Sequence, residues 1–220
     1  MTKIRLQDVA QFSKGQQING KELSDVFEFP FLNGGVHPSG KWKSANAKAN
    51  TITISEGGNS CGHVNWIKTD FWCGAHCYYL FDVQGDGRYL YYALKSQQDR
   101  LMAARSGCCM PNLKKSDLAN FQFNYCWNTD VQRKIVTVLD GISKICDLSE
   151  RVLLRLDELV KSRFVEMFGD LNANSKTWAT NSLGEVCDVR DGTHASPKYH
   201  DVGYPLMTSR HPVASATLVA

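Results

Sequence analysis

A chain of 220 residues with 43% hydrophobic and 21% charged content has the composition of an ordinary soluble globular protein, with room for one or two domains. A formal charge of +3 does not by itself mark a nucleic-acid binder. No stretch is long and apolar enough to cross a bilayer, and the opening residues MTKIRLQDVAQF carry no apolar signal core, so the protein is expected in the cytoplasm.

Residues 3–18 begin with a strand-like run that places Leu6, Val9 and Phe12 toward a core and ends at Gly15. Residues 29–40 read FPFLNGGVHPSG, with turn signals at Asn33-Gly34-Gly35 and Pro38-Ser39-Gly40. Lys41, Trp42, Lys43, Ser44, Asn46 and Lys48 follow with no apolar period, as expected of an exposed loop. Lysine there supplies charge for a phosphate backbone, asparagine pairs with adenine, and tryptophan wedges or stacks.

Residues 50–56 alternate and are rich in β-branched side chains, which predicts a strand. The turn Gly57-Gly58-Asn59-Ser60 and a second alternating run, Cys61–Ile67, complete a hairpin whose small tip lets a backbone approach a ligand. Residues 71–83 (FWCGAHCYYLFDV) read as one strand buried on both faces, with His76 as a core histidine. Leu90, Leu94 and Leu101 have helical spacing. Beyond Pro111-Asn112, Ser116 or Asp117 caps a short turn, and Lys114 and Lys115 flank it within reach of phosphates.

From Asp130 to Phe168 the chain has no proline and one glycine, and Ile135, Leu139, Ile142, Cys146, Leu153, Leu156, Val160 and Met167 recur in steps of three and four. This predicts a coiled-coil-forming helix, with Ser149 and Arg163 interrupting the stripe. Thr129-x-x-Gln132 reads as its capping box, Gly169 as its terminator, and Asn172–Lys176 as a polar linker.

Charge is uneven along these stretches. Residues 1–128 hold 14 basic against 10 acidic side chains, residues 129–170 hold 7 against 8, and residues 171–220 hold 4 of each. Beyond the helix a weak repeat appears. Leu183-Gly184-Glu185-Val186-Cys187 matches Leu6-Gln7-Asp8-Val9-Ala10, Gly192 matches Gly15, and Tyr204-Pro205-Leu206-Met207 matches Phe29-Pro30-Phe31-Leu32. The expected organisation is a β-rich domain at 1–128, a spacer helix at 129–170 and the start of a second such domain at 171–220. The fold class is α+β.

Eight cysteines need an account. Cys61, His63, Cys73, His76 and Cys77 cluster in sequence, which raises a metal-dependent enzyme as a possibility. The spacing fits no zinc module, and Cys73, Ala75 and Cys77 alternate inside an apolar run, so the thiols are read as reduced and buried. No cofactor or metal is expected. No phosphate loop, metalloprotease helix or nuclease cluster is present among the motifs, so the chain is read as a non-enzyme.

The stretches FPFLNGGVHPSG, NTITISEGGNSCGHVNWI, FWCGAHCYYL, LYYAL, MPNLKKSDL, VQRKIVTVLD and LGEVCDVRDGTHASP together resemble the specificity subunits of type I DNA restriction–modification systems. The resemblance implies target-recognition domains that each read half of a split double-stranded DNA site, long helices that pair antiparallel, and docking of methyltransferase subunits and, through them, the restriction subunit. Two local departures from the family pattern are Ser106–Met110, in place of small residues before Pro111, and Tyr125–Asn128, in place of a proline-bearing helix entry.

The DNA-contact candidates are therefore Lys41, Trp42, Lys43, Asn46, Asn59, Ser60, Lys114 and Lys115. Ile135, Leu139, Ile142, Leu153, Leu156 and Val160 are expected to pair the helix with a second copy in a homodimer. The competing reading is a coiled-coil scaffold with a β-rich cap and no DNA readout.

Overall fold

In the computed structural model, residues 1–104 and 111–188 are described. They form an α+β fold in two compact units, Met1–Glu158 and Leu159–Ala220. Cys108, Cys109, the stretch Ser106–Met110, Gly192 and Tyr204–Met207 lie outside the described residues.

In the first unit, alternation becomes strands as expected, but pairing is mostly non-local. β1 (Thr2–Arg5) passes through a 3₁₀ turn, Leu6–Asp8, into β2 (Gln11–Lys14). β3 (Phe29–Leu32) and β4 (Gly40–Trp42) make a hairpin, as do β5 (Thr51–Ser55) and β6 (Val64–Ile67).

The run 71–83 is not one strand. β7 (Trp72–Cys73) runs parallel to β3, and β8 (Cys77–Phe81) lies between β2 and β5 in an antiparallel sheet of order β2-β8-β5-β6. Gly74 allows the break, because a Cβ there would collide with the Asn33 side chain. The break also turns His76 outward, so it is exposed and not the core histidine expected.

α1 (Gly87–Lys95) and α2 (Gln98–Ala103) bury Leu90, Leu94 and Leu101 against the four-stranded sheet. α3 (Lys115–Ala119) starts from Lys114 with no side-chain cap, so neither Ser116 nor Asp117 caps it. A strand not foreseen, β9 (Gln122–Tyr125), pairs with β1. Its alternation spans only four residues, with Phe123 and Tyr125 buried in the core.

α4 (Thr129–Phe168) is 40 residues long, about 60 Å at 1.5 Å per residue. Its cap is Asn128, whose Oδ1 accepts from the amides of Asp130 and Val131 at 3.0 and 3.1 Å. Gln132 is not half of a capping box. Its side chain is buried, accepts from the Asp86 amide at 2.9 Å and donates to the Cys126 carbonyl at 2.6 Å. About two turns on, Asp140 Oδ1 receives Arg88 Nε at 2.7 Å and the Tyr92 hydroxyl at 2.5 Å. The Arg88 guanidinium sits 4.8–5.0 Å from the ring centroids of Trp66, Tyr91 and Tyr92. These two locks seat the first three turns of α4 on the domain.

In the second unit, α4 ends where expected: Gly169 takes φ +78° and its amide reaches the Val165 carbonyl at 2.7 Å. The following residues are more than a linker. Lys176 Nζ donates to the carbonyls of Glu166 and Met167, and the Trp178 indole to that of Phe168, which satisfies the last turn of the helix. α5 (Leu183–Val186) then repeats the Leu6–Asp8 turn in detail. The Ser182 amide donates to Glu185 at 2.8 Å as Arg5 does to Asp8 at 3.0 Å. The Cys187 amide reaches the Leu183 carbonyl as Ala10 reaches Leu6, and every pair is 177 residues apart.

Candidate nucleic-acid interface

The register of the four-stranded sheet sorts its charged residues to two ends. Thr51 faces Ile67 and Gln11 faces Phe81, so one end is bounded by Asn50, Lys68 and Asp82. This end adjoins α4: Asp86 bonds Gln132, Arg88 bonds Asp140, and Lys68 is close enough to act electrostatically on Asp140. At the other end, Lys14 faces Tyr78 and Ser55 faces Cys77, and the strand ends lead into Glu56, His63 and His76. We call these the helix end and the free end.

Two further segments join the free end. Gly57 bridges Asn112, the Gly58 amide bonds the Pro111 carbonyl, and the Leu113 amide bonds the Glu56 carbonyl. These bonds carry Lys114 and Lys115 to the hairpin tip, with the Lys115 ammonium 5.9 Å from the Phe12 ring centroid. The loop between β3 and β4 is the second segment. Ser60 Oγ donates to the Gly34 carbonyl at 2.5 Å, Asn65 Nδ2 to those of Gly35 and Val36, and Asn33 Oδ1 accepts from the His76 amide at 3.1 Å.

The free end thus gathers Lys14, Lys114 and Lys115 with His37, His63 and His76. Of its carboxylates, Glu56 is buried and paired with Lys14, with His76 Nδ1 at 3.9 Å, and Asp117 is exposed on α3 within electrostatic reach of Tyr78. Glu56 also contributes, after burial, to pushing the Tyr78 hydroxyl up to about 12. Burial and then the charge of Lys95 hold His63 below its ordinary value. The net surface here is cationic and rich in hydrogen-bonding groups, which suits a phosphate backbone flanking base edges.

The sequence candidates divide. Asn59, Lys114 and Lys115 are exposed at the free end, and Ser60 beside them is half-buried and occupied in holding Gly34. Lys41 and Lys43 are exposed on the flank formed by β4. Trp42 is not on an exposed loop: it is 6% exposed, edge-on to Phe27 and Trp72, so its ring is a packing element. Asn46 is also structural. Its amide brackets the Cys73 backbone, accepting from the nitrogen at 2.6 Å and donating to the oxygen at 3.0 Å, which imitates a strand partner. Both look exposed in sequence because their partners lie about 30 residues away.

Sequence reasoning missed Lys14, His37, His63 and Glu56 here. The β2–β8 and β5–β6 registers bring Lys14, Glu56 and His63 together, bonds from Ser60 and Asn65 add the loop that carries His37, and no local pattern encodes those pairings. Cys61, Cys73 and Cys77 are buried. Hydrogen bonding with Cys77 and then burial push the Cys73 thiol up, which suits a packing role. Among the described residues no three histidine, cysteine or carboxylate side chains converge as metal ligands.

Along α4, Ile135 packs on the domain core and Leu139 is half-buried beside Tyr89 and Tyr92. Ile142, Leu153, Leu156 and Val160 are exposed, and from Lys144 to Phe168 every residue is. Among the described residues no helix is long and apolar enough to cross a membrane.

Comparison with known proteins identifies the family. The family model of the type I restriction modification DNA specificity domain matches residues 1–158. A protein named as a type I specificity subunit in Mycoplasma genitalium is 27% identical over 210 residues, covering 88% of this chain and 53% of that one. One from Mycoplasma pneumoniae is 28% identical over 220 residues, covering 93% and 58%. The chain therefore spans little more than half the length of the curated relatives it matches. Among solved structures, the type I restriction–modification S subunit of M. genitalium superposes with a TM-score of 0.67 at 26% identity, over 80% of this chain and 48% of that one. The HsdS subunit of Thermoanaerobacter tengcongensis, at 22% identity and a TM-score of 0.51 over 69% of this chain and 39% of that one, shares the fold. By the family match over its first 158 residues, the chain belongs to the type I restriction–modification DNA specificity domain family.

Proposed function

We propose that this chain is a sequence-specific DNA-recognition subunit of a type I restriction–modification complex, reading one half-site and carrying no catalytic group itself. The observation that carries the reading is the polarity of the recognition domain, whose free end is cationic while its opposite end is locked to a long helix. Double-stranded DNA lies across the free end, with Lys14, Lys41, Lys43, Lys114 and Lys115 against phosphates and Asn59 toward base edges. Methyltransferase subunits dock on the assembled complex in the cytoplasm and perform the chemistry, and the restriction subunit joins through them. The domains run 1–128 for the reader, 129–170 for the helix and 171–220 for the start of a second reader.

The test is binding of the chain, with methyltransferase subunits, to a pool of randomised duplexes. A selected motif whose affinity falls steeply with salt is expected. Selection of no motif contradicts the proposal.

The exposed stripe on α4 supports a second element of the reading, a homodimer. An apolar face at Ile142, Leu153, Leu156 and Val160 is covered when a second copy packs antiparallel along it, which also fixes two recognition domains at a set separation. Sedimentation of the purified chain at micromolar concentration is expected to give a dimer that Leu153→Lys dissociates. A wild-type monomer at that concentration contradicts it.

A further inference from the structure

The β3–β4 connection, Asn33–Ser39, has two parts with different environments. Asn33, Gly34 and Gly35 are buried or half-buried, whereas Val36, His37, Pro38 and Ser39 are exposed, with Val36 at 43%. The base of the loop is pinned from outside. Ser60 holds the Gly34 carbonyl, Asn65 holds those of Gly35 and Val36, and Asn33 holds the His76 amide. The Ser39 amide closes the loop on the Phe31 carbonyl at 2.9 Å. Gly34, at φ +85°, lies so close to His76 that a Cβ would stand 2.5 Å from its carbonyl oxygen.

A solvent-facing loop needs no such anchoring, since water satisfies exposed carbonyls. Two polar side chains of the β5–β6 hairpin, Ser60 and Asn65, hold this one, and its own Asn33 side chain accepts from the His76 amide. Anchoring removes in advance the ordering cost that a mobile loop pays on binding.

The chemistry of the tip differs from that around it. Residues 33–39 contain no lysine or arginine, although Lys14, Lys114 and Lys115 share this end of the sheet and Lys41 follows within two residues. The tip offers an apolar branch, an imidazole and a hydroxyl. These are groups that contact a thymine methyl and hydrogen-bond base edges, and they add little to phosphate attraction. His37 also lies near His63, itself hydrogen-bonded to Asn65 at 3.0 Å, so the pinning hairpin extends the same polar surface.

We propose that Val36, His37 and Ser39 form a preformed base-edge reader, with Ser60 and Asn65 as positioning residues that hold it and the surrounding lysines supplying phosphate attraction. The inference rests on the proposed function, since it assigns the reading step of that function to one loop.

The test compares the wild-type chain, in complex with methyltransferase subunits, with His37→Ala, Val36→Ala and Ser39→Ala, each selecting from a pool of randomised duplexes. Wild type is expected to select a motif. The tip variants are expected to relax it at one or two positions, binding the wild-type motif about 5- to 100-fold more weakly with an unchanged salt slope. Ser60→Ala is expected to keep the motif and bind it more weakly, as a positioning residue would. Tip variants that select the wild-type motif with affinity within about twofold overturn the inference, as do variants that lose the methyltransferase subunits instead. Selection of no motif by wild type overturns the proposed function and this inference with it, which separates that failure from failure of the loop alone.

Discussion

The two ends of the four-stranded sheet are built from the same strands, four or five residues long, and differ in how their polar groups are used. At the helix end, they are spent inward: Gln132 joins Asp86 to Cys126, and Asp140 takes both Arg88 and Tyr92. At the free end, Glu56 and Lys14 pair with each other and His63 bonds Asn65, while Lys114, Lys115, His37, His76 and Asn59 are exposed. Side-chain bonds to α4 are concentrated at the helix end, and exposed cationic and polar groups at the free end.

The comparison breaks most directly at Gln132. Gln132→Ala orphans the Asp86 amide and the Cys126 carbonyl, and is expected to cost about 3 kcal/mol in urea unfolding. Arg88→Ala removes the ion pair and the three-ring cage, and is expected to cost about 2 kcal/mol by the same measurement. Neither change is expected to alter the salt slope of DNA binding, because both groups lie at the helix end.

At the free end, Glu56→Gln sharpens the contrast. It removes a buried partner of Lys14, with a loss of about 1 kcal/mol in stability, yet it raises the local positive charge. Duplex binding at low salt is expected to tighten, whereas Asp140→Asn at the helix end is expected to leave it unchanged.

The smallest effect is a pH dependence. Burial disfavours the Asp140 carboxylate, but hydrogen bonds from Tyr92 and Arg88 outweigh burial and hold its pKa below the ordinary aspartate value. Its contribution to stability is therefore complete above about pH 4 and is lost as pH falls through the lowered folded value. Urea midpoints from pH 6 down to pH 2 are expected to fall less steeply for Asp140→Asn than for wild type.

Much of the fold was legible because it is locally encoded. The β5–β6 hairpin, the leucines of α1 and α2, and the span of α4 with its Gly169 stop follow from alternation, helical period and turn residues. The first match of the repeat was legible too, and the turn at Ser182–Cys187 shows how far local code reaches. It reproduces the hydrogen bonds of Arg5–Ala10, yet Leu6 and Val9 are fully buried while Leu183 and Val186 are 65% and 62% exposed. A turn is written in its own residues, whereas burial needs Leu118, Phe121 and Phe123 from elsewhere in the chain.

The same division explains the misreadings. Trp42 and Asn46 look like loop residues until Trp72 and Cys73 arrive across some 27–30 positions. Gln132 looks like a cap until Asp86 claims it. The free end was half legible: Asn59, Lys114 and Lys115 carry local signals, while Lys14 and His63 enter only through strand register.

The central claim is that the free end, and not the helix end, faces DNA. It is tested most directly by the salt dependence of duplex binding for two double variants, Lys114→Ala with Lys115→Ala at the free end and Lys48→Ala with Lys68→Ala toward the helix end. If each free-end lysine meets one phosphate, the first pair is expected to flatten the slope of log K against log salt by about 1.8, at about 0.9 per contact. The second pair is expected to leave the slope unchanged. A flattened slope for the second pair with an unchanged slope for the first would contradict the account.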